Sequence, residues 1–159
     1  MTMTNYTYRA EHSRDEDDGR YLVLLPDWPE VAGDGATLLE AFQDIRSALE
    51  EAALGRLDRG EDIPEGPARP GKEFHIPLTS FAAMKIALNR WAFREGHGAQ
   101  AKLARLSGLN KTQIRRALSP STGGVSASRL EALMPIAGLV AVPTFLQAQS
   151  LEEDGRAAG

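Results

Sequence analysis

Cysteine is absent from the 159-residue chain, which excludes disulfides and thiolate-bound metals. Histidine is scarce as well. His12, His75 and His97 have neither close spacing nor carboxylate neighbours placed for ligation, so surface or packing roles are expected, with no metal and no cofactor. Long apolar runs are missing too: the longest, Ala137 to Val142, contains Gly138 and falls far short of the roughly 20 residues a membrane helix needs. The opening segment MTMTNYTYRAEHSRDEDD has no apolar stretch of the signal-peptide kind, and a cytoplasmic location is expected. What remains is 42% hydrophobic and 25% charged, the balance of one ordinary globular domain or two small ones.

Basic residues are also scarce in one half. Residues 1 to 78 hold 8 Lys and Arg against 17 Asp and Glu, or -9, and residues 79 to 159 hold 10 against 5, or +5. The sign changes beside a proline-rich segment, IPEGPARPGKEFHIP, with Pro64, Pro67, Pro70 and Pro77. Two modules with different partners are therefore expected, residues 1–78 and 79–159, with a linker over 61–72.

In the first module Tyr6, Tyr8 and Ala10 alternate with Thr7 and Arg9 at the period of a half-buried strand. YLVLL, residues 21–25, reads as a second strand buried on both faces, and the polar EHSRDEDDG between them as a hairpin loop. VAGDG suits a short third strand. Thr37 and Glu40 form a capping-box pattern that starts a helix, whose apolar face is Leu38, Phe42, Ile45, Leu49, Ala52 and Ala53 and whose stop is Gly60. EFHIPL, residues 73–78, adds an edge strand, because Pro77 has no N–H for a ladder.

The segment LPDWPEVAGDGATLLEAFQDIRSALEEAALGRLDRGEDIPEGP resembles the amino-terminal region of HicB antitoxins, over roughly residues 5 to 78. Pro26, Asp27 and Pro29 match the family's Pro-Asp-x-Pro turn, Gly35 and Thr37 its helix-start turn, Ala41 its small helical residue, and Gly60, Ile63 and Pro64 the segment after the helix. Glu30 and Ala36 depart from it, standing where glycine and an acidic residue are common. The resemblance implies a partial ribonuclease H-like β-β-β-α-β fold, without nuclease activity, that binds and blocks a small HicA-like ribonuclease toxin. The residues themselves also argue against catalysis. Two-metal nucleases need carboxylates on rigid elements that hold cations about 4 Å apart. Here Asp15 to Asp18 fall in a loop, and Asp27 is isolated.

In the second module Ser80 can cap a helix through MKIALNRWAF, with Met84, Ile86, Ala87, Trp91 and Phe93 too apolar for full exposure. AQAKLARLS forms a second helix burying Ala101, Leu103, Ala104 and Leu106, ended by Gly108. Asn110 can cap a third, with Gln113 reaching back. At 100° per residue, Ile114 and Leu118 point inward, Thr112 and Arg116 outward, with Gln113 and Arg115 on the flanks and Lys111 in the leading turn. Arginine can read guanine, glutamine adenine, and lysine and helix-start N–H groups bind phosphate.

The spacing of Leu103-Ala104, Gly108, Leu109, Ile114 and Leu118 resembles the lambda-repressor/Cro (XRE) class of helix-turn-helix, over roughly residues 82 to 139. On that pattern Gln100 and Asn110 are phosphate contacts, and Lys111, Thr112 and Arg116 base-edge contacts, with Gln113 and Arg115 as secondary candidates. A further helix carries Leu130, Leu133 and Ile136, VAVPTFLQAQ over 140–149 offers a dimer surface, and LEEDGRAAG is expected to fray. The combined expectation is an α+β, non-enzymatic HicB-type antitoxin. It would neutralise an mRNA-cleaving HicA-like toxin and, as a homodimer on operator double-stranded DNA, repress its own operon. The alternative is a transcription regulator whose amino-terminal module senses a small molecule or another protein, and a third reading is a residual metal-dependent nuclease.

Overall fold

A computed structural model describes residues 3–67, 71, 73–121, 123–142 and 147–157. The chain is mixed α+β, with two small antiparallel sheets and six α-helices among the described residues. It divides into two compact units: residues 1–53, 62–79 and 144–159 form one, and residues 54–61 and 80–143 the other.

In the first unit, strands β1 (Thr7–Arg9) and β2 (Glu11–Arg14) are separated by Ala10 alone, whose N–H donates to Phe74 O at 2.8 Å. β1 pairs with β5 (His75–Pro77), and β2 pairs with β3 (Tyr21–Leu24), which pairs with β4 (Ala32–Gly35). The polar segment 11–14, expected in a loop, is thus a strand, because Glu11, Ser13 and Arg14 face water while half-buried His12 packs edge-on against Phe74. The acidic run shrinks to the turn at Asp15, whose Oδ1 accepts from the N–H groups of Asp17 and Asp18.

β3 is buried on one face only. Tyr21, Val23 and Leu25 point inward, whereas Leu22 and Leu24 are 42% and 45% exposed. The reason is that helix α1 (Leu38–Arg59) covers a single side of the sheet, which leaves the alternation of an antiparallel strand with one wet face. Its start follows the expected pattern with one shift: Thr37 Oγ1 accepts the Glu40 N–H at 3.1 Å, but Glu40 Oε2 takes the N–H of Ala36, at 2.8 Å, rather than that of the cap residue. α1 crosses β4 at backbone contact. A Cβ at Gly33 would lie 2.4 Å from Ile45 N, and one at Gly35 2.5 Å from Ala41 N. Only glycine fits at either strand position.

Helix α6 (Ala148–Ala157) belongs to this unit, and of the segment expected to fray, residues 151–159, the described part is helical over 151–157. Leu151 and Gly155, four apart, give it one buried stripe, and Tyr21 Oη donates to Gly155 O at 2.9 Å. Residues 143–146 of the expected dimer surface lie outside the described residues; Val140 and Val142 are exposed.

The second unit packs α2 (Ser80–Glu95), α3 (Ala99–Ser107), α4 (Lys111–Leu118) and α5 (Ala127–Leu133), followed by a 3-10 turn at Pro135–Ala137. Met84, Leu88 and Trp91 of α2, Leu103 of α3, Ile114 and Ala117 of α4, and Leu130 and Leu133 of α5 form its core. Ser80 is the first helical residue rather than the cap. Two side chains expected inside α3 are outside: Ala101, about 200° round from Leu103, is exposed, and Leu106 in the last turn lies beyond the cluster at 56% exposure. No helix among the described residues is long and apolar enough to cross a membrane.

Candidate nucleic-acid interface

The outward surface of α3 and α4 is set by three local devices. First, Gly108 stops α3 in the left-handed region at φ 72°, with its N–H on Ala104 O at 3.0 Å. Asn110 then turns the chain into α4 in extended conformation. Its Oδ1 accepts the Gln113 N–H at 2.9 Å, and Gln113 Oε1 accepts the Asn110 N–H at 3.0 Å, a complete capping box. Finally, Ile114 and Ala117 are fully buried and fix the rotation of α4. Leu118, expected inside, is half-buried, and Ala117 takes the deeper position.

With the helix so turned, Lys111, Thr112, Arg115 and Arg116 are exposed, as are Gln100 at the start of α3 and Asn110 at the cap. Gln113 is different. It is half-buried, and its Oε1 is occupied by the cap, so the paired donor and acceptor that a bidentate adenine contact needs are not both free. Gln100 lines two neighbouring concavities, one shared with Lys111 and Gly98, the other with Arg115 and Phe93. It thereby links the two helices into one surface.

Among the described residues Lys111, Arg115 and Arg116 make no ion pair, whereas Lys102 is engaged with Glu95 at 2.9 Å. Residues 80–143 hold 9 Lys and Arg against 2 Asp and Glu, or +7. Arg116 is also braced. Its stem lies so close to Gly124 that a Cβ there would be 2.7 Å from Arg116 Cδ, and Gly124 sits at φ +79°.

Two features of this region stand apart from the motif. Lys85, in the middle of α2, is 1% exposed, and its Nζ donates to Arg116 O at 3.2 Å, to Ser119 O at 2.5 Å and to Ser121 O. Asn89, one turn on, donates to Leu118 O at 2.7 Å. Together they satisfy the carbonyls at the end of α4 and place a cation at the negative end of its dipole. Burial pushes the Lys85 ammonium below the usual lysine range. The only local signal was a charged residue inside the apolar run Met84 to Leu88. The second is Phe93, expected to be shielded but 87% exposed beside Arg115.

Compared with known proteins, the chain matches no family model, and no curated protein matches it.

Proposed function

We propose that this protein is a HicB-type antitoxin, not an enzyme, whose first unit neutralises a small basic HicA-like ribonuclease and whose second unit binds operator DNA. The observation that carries the reading is the pair α3 and α4: a glycine-ended helix, a capped turn, and a second helix that turns unpaired Lys111, Arg115 and Arg116 outward from a +7 segment. Such a helix in the major groove supplies phosphate and base-edge donors of the kind double-stranded DNA takes. Support for the first unit is its acidic composition, 7 Lys and Arg against 18 Asp and Glu or -11 over residues 1–53, 62–79 and 144–159, and a β-strand and helix order compatible with a partial ribonuclease H-like layout. Opposite charge speeds encounter with a basic partner, while apolar contacts set the lifetime.

A single helix of two turns reads few base pairs, so a homodimer on a palindromic operator, with half-sites about 34 Å apart, completes the account. Co-expression of the full chain with a HicA-like ribonuclease tests the antitoxin role. Restored growth and co-purification are expected. Failure of both would leave the second unit as a stand-alone regulator.

A further inference from the structure

We propose that Phe93 extends the DNA-binding surface onto α2, packing its ring on the sugar-phosphate backbone at the rim of the groove; this rests on the DNA-binding reading above. Phe93 lies in the last turns of α2 and is 87% exposed, more than any other large apolar side chain described. Covering a phenyl group is favourable, so a partner laid over Phe93 gains from the contact. The partner is indicated by what surrounds it. Phe93 borders a groove of about 340 Å³ that is also lined by Asn89 and Ala92 of α2, Gln100 of α3, Arg115 and Leu118 of α4, and Ser119 at the α4 cap.

Hydrogen-bond donors and no carboxylate line that groove. Glu95, the nearest acidic residue in sequence, is turned to Lys102. An anion flanked by apolar surface fits such an edge, and a DNA strand offers that alternation of phosphate and deoxyribose. Arg115 and Gln100 would take a phosphate and Phe93 the adjoining sugar. The ring sits on the Arg115 flank, about 100° round α4 from Arg116, so it meets backbone rather than bases.

A backbone contact made by a neutral side chain has a signature. It strengthens binding to every sequence alike, and because it neutralises no phosphate it leaves the salt dependence untouched. The test uses the full chain with two duplexes, the DNA upstream of its own gene and a shuffled fragment of equal length, titrated over a range of salt. Phe93→Ala should bind both roughly five- to tenfold more weakly, with an unchanged slope of log affinity on log salt. Phe93→Lys should recover affinity for both while steepening the slope by about 0.9 per chain. Unaltered binding by Phe93→Ala would overturn the inference. So would a loss confined to the upstream DNA, which would make the ring a base reader, or a change in oligomeric state without DNA, which would make it a protein contact. If the wild type binds neither duplex, the DNA-binding reading itself fails, and this inference with it.

Discussion

Lys85 Nζ lies 2.5 Å from the carbonyl oxygen of Ser119, the residue that closes α4. The two are 34 residues apart. The contact makes a buried ammonium the anchor for the far end of the helix that carries Lys111 and Arg116, while the Asn110 and Gln113 pair anchors the near end. An α-helix of eight residues has little stability of its own, so its direction is set by these two attachments and by Ile114.

Replacing Lys85 by methionine keeps the stem and removes the donor, stranding carbonyls of Arg116, Ser119 and Ser121. Stability should fall by about 1 to 3 kcal/mol, read as a lower urea midpoint. The pH dependence has a defined sign. The folded-state pKa is lowered, so from that value up to about 10.4 in the unfolded chain the unfolded state binds more protons, and stability rises with pH. The cost of burying the charge is fully present below the folded-state pKa and is relieved as pH rises from there towards the unfolded value. The stability gap between wild type and Lys85→Met should therefore widen as pH is raised.

At the other end of α4, Asn110→Ala deletes the cap and should cost about 0.5 to 2 kcal/mol. Thermal melting checks this, and Asn110→Ser, which keeps a capping oxygen, should recover most of the loss.

Gly124→Ala tests the brace on Arg116. The new methyl would meet Arg116 Cδ at 2.7 Å in a backbone conformation, φ +79°, that alanine resists. Base preference should relax as in Arg116→Ala, and in an Arg116→Ala background the same change should have no further effect on that preference. Independent, additive effects in this double-mutant cycle would show that the loop does not position the arginine.

The features legible in the sequence were those made by neighbours along the chain. Thr37 with Glu40, Asn110 with Gln113, and Gly108 each act within three or four residues, so residue type and spacing suffice to identify them. What was hidden depends on chain segments far apart. Tyr21 finds Gly155 across 134 residues, and with Leu151 that contact orders a terminal segment whose composition alone suggested fraying. The mixed polar segment from Glu11 to Arg14 becomes a strand because β3 is there to pair with it. Lys85 and Phe93 both broke the local pattern, one polar side chain inside and one apolar side chain outside. Each was inconspicuous in a helix whose remaining periodicity was sound.

The closeness of α1 and β4 gives a prediction for the first unit. Gly33→Ala would drive a methyl to 2.4 Å from Ile45 N, part of the helix backbone rather than a flexible side chain. A loss of several kcal/mol, of the size overpacking and backbone displacement cause, is expected, on the order of 2 to 4. It would appear as aggregation or a strongly lowered melting temperature. Tyr21→Phe, which removes only the donor to Gly155 O, should cost about 1 kcal/mol.

The most direct test of the account is a titration of the labelled upstream DNA at fixed salt with full-length Lys111→Ala/Arg116→Ala, alongside co-purification of the same variant with the proposed HicA-like partner. Each side chain removed is worth about 1 to 3 kcal/mol if it touches a base edge, so affinity should drop by at least tenfold. The fold should be unchanged, because both positions are exposed, and toxin binding should survive. Undiminished DNA affinity in this variant would contradict the account.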